Sequence, residues 1–198
     1  MAKRYTGADA ADRQARESAC LRALAGMLPV PEVVDERPGA LRTRRPAGVG
    51  GKDLLAVGQA RYVLQLAGRL LREVQAVDAS GLDLPGEGPV LVHGDFGPQH
   101  LVVDGERVTG LVDWDHARRG HAVEDLAWAE WFIRMYHPDA VPHLDALFEG
   151  YGERPCWTVR RAAMLEACAR RERRAESPAA ADMWQARAEV TKTWAEAA

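Results

Sequence analysis

The sequence predicts an α+β protein: a helical C-terminal body carrying a short β-hairpin element, preceded by a smaller N-terminal segment. Three observations predict it. From Val90 to Trp114 the chain alternates β-branched apolar runs with a polar loop and a hairpin turn. From Leu55 through Tyr62, Val63, Leu66 and Leu70 to Val74, apolar residues recur at helical spacing. After residue 123, four helix-compatible segments are separated by Pro138, Pro155 and Pro178.

In order, Met1 to Tyr5 is too short for a strand with partners of its own making, and Asp9 or Asp12 can cap a helix running to about Gly26. Leu28-Pro29-Val30-Pro31 is held extended by its prolines. Glu32–Val34 and Leu41–Thr43 read as a hairpin around residues 35–39, and Pro46–Gly51 as a Gly-rich linker. That linker divides an N-terminal lobe, 1–50, from a helical catalytic lobe, 51–198. Asp53 opens the long helix to about Ala76. Strands follow at Val90–Val92, Leu101–Val103 and Val108–Val112, with Asp104-Gly105 as the turn. The helices after them span 124–135, 139–152, 158–174 and 178–195.

Composition bounds the function. The 198 residues are 47% hydrophobic and 28% charged, as in a soluble globular chain. A net charge of -3 argues against nucleic acid as a partner. No apolar run reaches the ~20 residues of a membrane span, and the first ten residues lack a signal-peptide core. Three cysteines without CxxC spacing point away from structural zinc and disulfides, and towards a cytoplasmic setting. The arginines of 170–174, broken by Glu172, read as a solvated helix face.

The chemistry concentrates in the central stretch. Asp95 lies in the polar loop after the first strand and Asp113 at the end of the third, so the scaffold delivers two carboxylates to one cleft. Asp95 is placed to orient a hydroxyl and accept its proton. Asp113, with Asp115 two positions on, is an oxygen-rich site suited to Mg²⁺. An acid for the nucleophile and an acid for a metal are the minimum equipment for phosphoryl transfer.

His93-Gly94-Asp95 and Asp113-Trp114, with Gly120 and Asp125-Leu126-Ala127 beyond, resemble the catalytic core of the aminoglycoside phosphotransferase and choline kinase-like family, relatives of protein kinases. Upstream, Arg16-Glu17-Ser18-Ala19 with Leu21 and Leu24, then Leu28-Pro29-Val30-Pro31, resemble that family's first N-lobe helix and the strand after it. The resemblance implies a protein-kinase-like fold with Asp95 as catalytic base and Asp113 as metal ligand. His93 and the buried acid Asp125 would support the loop, and Lys3 would pair with Glu17 at the nucleotide. The implied cofactors are ATP or GTP with Mg²⁺, or Mn²⁺ in its place, and the implied partner is a small-molecule acceptor. Trp128, Trp131 and Tyr136 fall on the helix near the family's acceptor site, although aromatics at helical spacing also build cores. Glu124 and Glu130 could neutralise a cationic acceptor or simply face solvent.

Two departures open alternatives. The family's second metal-binding residue, an Asn, is His100 here, and imidazole suits softer metals. The chain starts almost at Lys3, so the strands and Gly-rich loop that cover the nucleotide phosphates have no counterpart. The expectations are thus a nucleotide-dependent small-molecule O-phosphotransferase with a truncated N-terminal lobe; a degenerate, kinase-shaped binding or scaffold protein; or a transition-metal site built from His93, His100, Asp113, Asp115 and His116. An exposed sheet edge in a truncated lobe also predicts a homodimer.

Overall fold

The computed structural model describes residues 1–196. Its N-terminal part is a three-stranded antiparallel sheet with one helix against it. Strand β1 (Ala2–Arg4) and strand β2 (Val33–Arg37) flank β3 (Ala40–Thr43), in the order β1-β3-β2, and α1 (Ala10–Leu24) packs on them. Met1–Tyr5 therefore does hold a strand: Ala2, Lys3 and Arg4 pair with Arg42, Leu41 and Ala40, a partner about 40 residues away. The β2–β3 hairpin turns tightly at Pro38-Gly39, where Gly39 takes φ 76°. Asp9 stands at the N-cap of α1 without capping it; its carboxylate pairs with Arg13, 3.0 Å away.

The segment read as a linker contributes β4 (Val49–Gly50), which pairs with Val103 and Val102 of β6 (Leu101–Asp104). The long helix is two helices, α2 (Gly51–Ala56) and α3 (Ala60–Ala76), separated at Gly58, whose φ of 80° ends the first. Asp53 lies in the first turn of α2 rather than capping α3. Helix α3 buries Val63, Leu64, Ala67, Leu71 and Val74 completely and is the axis of the core.

Strand β6 forms a hairpin with β7 (Arg107–Leu111), giving a sheet β4-β6-β7. Strand β5 (Val90–Val92) belongs to a separate ribbon with β8 (Arg118–Gly120). Asp95 and Asp113 thus follow strands of different sheets, not neighbouring strands of one, and they meet because both loops fold over the same core. Helix α4 (Val123–Tyr136) follows. Two prolines turn 138–143 into a 3₁₀ segment, so α5 begins only at Asp145 and ends at Tyr151, on a left-handed Gly152. Helices α6 (Trp157–Arg173) and α7 (Pro178–Lys192) close the body. Trp128, Trp131, Met164, Ala167 and Cys168 form a second apolar cluster between α4 and α6. No helix among the described residues is long and apolar enough to cross a membrane.

Candidate active site

The loop that carries Asp95 is built on two backbone-to-carboxylate bonds. The N–H groups of His93 and Gly94 donate to Asp125 at 2.6 and 2.9 Å. Burial pushes the Asp125 carboxyl up to about 6, against the pull of those two donors. His93 is wholly buried; its Nε2 donates to the Val112 carbonyl at 3.0 Å and its Nδ1 accepts from the Asp95 N–H at 3.3 Å. Burial and the neighbouring His100 push its pKa down to about 3. Gly94 sits at φ 84°, and a β-carbon there would lie 2.3 Å from the His116 carbonyl oxygen. Only glycine lets the two loops approach so closely.

Asp95 ends this loop with three donors on its carboxylate. Trp128 Nε1 and Arg171 Nη2 both reach Oδ1, at 2.7 and 2.8 Å, and His100 Nε2 reaches Oδ2 at 2.9 Å. An ionised carboxylate only accepts, so the His100 proton in that bond is on Nε2. Burial works to raise the Asp95 pKa, but the His100 bond and charge, then Arg171, hold it well below the usual carboxylate range.

Asp113 is the only non-glycine among the described residues with positive φ, 70°. Such backbone strain clusters at functional sites. Its carboxylate bonds Lys3 Nζ and lies 3.8 Å from His100 Nδ1, so His100 stands between the two acids. Lys3 also reaches Glu17 at 2.6 Å and Asp115 at 3.1 Å. Desolvation opposes the Lys3 ammonium, yet Glu17 and Asp113 outweigh it and raise its pKa. The Tyr5 hydroxyl donates to Glu17 at 2.5 Å, and Arg13 to Asp115 at 3.2 Å. Glu17, Asp113 and Asp115 each bring an oxygen within 4.8 Å of the others, and the buried Oδ1 of Asp115 has no hydrogen-bond partner. Such a set of hard oxygen donors fits a hard divalent cation. An apolar slot of about 210 Å³, lined by Leu21, Leu41, Thr43 and Val112, opens onto Lys3 and Asp113.

Not every expected site residue arrives here. Glu130 is wholly buried, clamped by Arg160 at 2.5 Å and Arg134 at 2.9 Å, and faces no acceptor. Trp131 is equally buried, stacked on Trp128 at 4.4 Å with its Nε1 on Thr191. Trp128 alone of the three presents a polar atom to the site. The five-residue His/Asp metal set does not assemble, because both ring nitrogens of His93 are bound within the protein and, among the described residues, the group that brings its ligand atoms together is Glu17, Asp113 and Asp115.

Arg171 was hidden in a run that reads as solvated. In fact its guanidinium lies over the Trp128 ring at 3.5 Å and also bonds the Gly94 carbonyl. The signal was available: Arg160, Met164, Ala167, Cys168 and Arg171 share one helical stripe, and its apolar members are buried.

The chain is similar to known proteins in its central sequence and in its fold. The phosphotransferase enzyme family matches residues 82–165. No curated protein matches the chain by sequence. Among solved structures, the chain superposes on a thermostable mutant of aminoglycoside phosphotransferase APH(4)-Ia, in ternary complex with AMP-PNP and hygromycin B, with TM-score 0.70. Identity is 18% over 91% of this chain and 81% of that one. Macrolide 2'-phosphotransferase MphH from Brachybacterium faecium gives 0.67, with 19% identity over 99% and 85% of the two chains. The GDP and kanamycin complex of APH(2")-IIia gives 0.72, with 15% identity over 96% and 86%. Residues 82–165 match the phosphotransferase enzyme family, and the whole fold is aminoglycoside phosphotransferase-like, one of the protein-kinase-like folds.

Proposed function

We propose that the protein is a nucleotide-dependent phosphotransferase acting on a hydroxyl of a small molecule. The observation that carries this reading is the convergence of Asp95 and Asp113 on either side of His100, with the Lys3–Glu17 pair joined to Asp113. Asp113 and Asp115 would hold Mg²⁺, with Mn²⁺ as the alternative ion, and His100, when neutral with its proton on Nε2, would offer Nδ1 as a nitrogen ligand. A cation there would neutralise charge on the transferring phosphoryl group. The slot beside Lys3 suits the base of ATP or GTP, and the Lys3 ammonium its phosphates.

Asp95 orients the acceptor. Each carboxylate oxygen accepts about two hydrogen bonds. Oδ1 already has two donors and Oδ2 only one, so the free lone pair beside His100 is where an acceptor hydroxyl would donate. As the hydroxyl oxygen bonds to phosphorus and the bond to the leaving nucleoside diphosphate breaks, the hydroxyl proton passes to Asp95. Its depressed pKa keeps it ionised at neutral pH and makes it a weak base, suited to a late proton transfer. Three free thiols, Cys20, Cys156 and Cys168, support a reducing, cytoplasmic setting.

A second reading, a kinase-shaped binding protein, draws on the same carboxylate: three donors on Asp95 leave little room for a substrate. Purified protein assayed for release of nucleoside diphosphate, with a broad acceptor panel and with Mg²⁺ or Mn²⁺, decides between them. Acceptor-dependent release that disappears in Asp95→Asn supports transfer. Nucleotide binding without turnover supports the second reading.

A further inference from the structure

We infer that the acceptor is an anion: a small hydroxyl compound bearing a carboxylate or phosphate, not a polycationic sugar. The inference rests on the phosphotransferase reading and adds the substrate class. Beside Asp95 lies a cleft of about 250 Å³ whose lining includes His116, Arg118, Arg170, Arg171, Arg174 and Trp184, and no carboxylate. Its size is below the ~300–1,000 Å³ typical of pockets for drug-sized ligands, which favours a small acceptor.

The charges of the cleft are arranged unevenly. Glu124 lies behind the rim and pairs with Arg118 at 2.5 Å and Arg170 at 3.1 Å. Arg171 is tied to Asp95. Arg174 is exposed, forms no ion pair among the described residues, and also lines the neighbouring cleft that holds Asp9, Asp12 and Glu176. Four guanidinium groups therefore face the space with three carboxylates, Glu124, Glu166 and Asp95, paired to them, and guanidinium is the side chain best matched to carboxylate and phosphate oxygens. An aminoglycoside's ammonium groups would meet like charge in this cleft, and the acidic Glu130 that could have received one is sealed under Arg160. Trp184 adds an aromatic wall, 5.5 Å from the Arg171 guanidinium, against which a sugar-sized carbon skeleton can pack. Because Arg171 bonds Asp95 directly, an anion held on the arginines would lie one side chain away from that carboxylate.

Ligands of one scaffold and different charge test this. Glucose 6-phosphate, gluconate, glucose, glucosamine and kanamycin are compared by saturation-transfer NMR against wild type, Arg174→Glu and the control Arg173→Glu, each with and without saturating nucleotide. The expected result is saturation of glucose 6-phosphate or gluconate, and not of glucosamine or kanamycin, whether or not nucleotide is bound. Which of the two anions binds separates phosphate from carboxylate. Arg174→Glu should weaken that binding about tenfold or more, as loss of a charge-assisted contact does, while Arg173→Glu should leave it within about twofold. Preference for the cationic ligands, binding of neither anion, equal losses in both variants, or displacement of the anion by nucleotide would each overturn the inference. Failure of the nucleotide itself to bind would instead remove the phosphotransferase reading, and it is read separately in the same samples.

Discussion

Asp95 and Asp113 flank one histidine that favours the ionised form of both, and their further partners come from opposite ends of the chain. The C-terminal half neutralises Asp95: Trp128 from α4 and Arg171 from α6 share one of its oxygens. The first strand answers Asp113: Lys3 is the principal cation for a group that also contains Glu17 and Asp115, with Arg13 helping at the edge. One acid is over-supplied with donors, whereas the other sits among carboxylates that outnumber their cations and leave a buried oxygen unpartnered. The difference matches the division of labour proposed above, in which the Asp95 side would receive an anion and a hydroxyl, and the Asp113 side a cation.

The largest expected effect comes from removing the hydroxyl-orienting charge. Asp95→Asn should lower acceptor-dependent turnover by about 10²–10⁴-fold, in line with the typical size of general-base contributions, and leave nucleotide binding in place; steady-state rates and calorimetry check both. If the variant retains near-wild-type turnover, the Asp95 side is not where the proton goes.

Arg171→Met probes how strongly the C-terminal half sets that side. It removes a positive neighbour from Asp95, so the carboxylate pKa should rise and the acidic limb of the pH–rate profile should move to higher pH. An unchanged limb would mean that His100 alone sets the ionisation.

Lys3→Met acts on the other side. It removes the ammonium shared by three carboxylates, so affinity for a divalent cation without nucleotide should rise severalfold while nucleotide affinity falls. Titration with Mn²⁺ and then with nucleotide separates the two. Loss of both would break the contrast drawn between the sides.

The smallest effect is on stability. In the folded chain His93 binds its proton only near pH 3, well below the ordinary histidine value of 6.5. Between those limits the unfolded state binds more protons, so the His93 contribution to stability is present above about 6.5 and is lost as pH falls towards 3. Denaturant unfolding of wild type and His93→Gln across that window should show a shallower fall in the variant. Equal slopes would indicate that the loop opens before His93 titrates.

The two sides also differ in how far they could be read from sequence. The His-Gly-Asp loop, the Asp-Trp pair and the Lys3 and Glu17 positions are local patterns, and in the structure their side chains meet at one place. The helices of the C-terminal body likewise follow from proline punctuation and apolar spacing, within a few residues except at the start of α5, which begins at Asp145 and not at 139. What escaped depends on partners far along the chain. Strand β1 exists because β3 is there to pair with it. Glu130 is buried because Arg160, 30 residues on, neutralises it. Arg171 reaches Asp95 across 76 residues, and an arginine among arginines shows its burial only through the stripe it shares with Cys168 and Met164. Side-chain spacing encodes which face a residue occupies; the charge that waits on the other side of that face comes from the tertiary fold.

Calorimetric titration of ATP and of GTP, each with Mg²⁺, into wild type and Asp113→Asn tests the central claim most directly. Metal-dependent binding of one nucleotide to wild type, weakened by at least tenfold in Asp113→Asn, is the result expected of a cation-holding acid at a nucleotide site. Binding that is absent in wild type, or that is indifferent to metal and to the substitution, would contradict it.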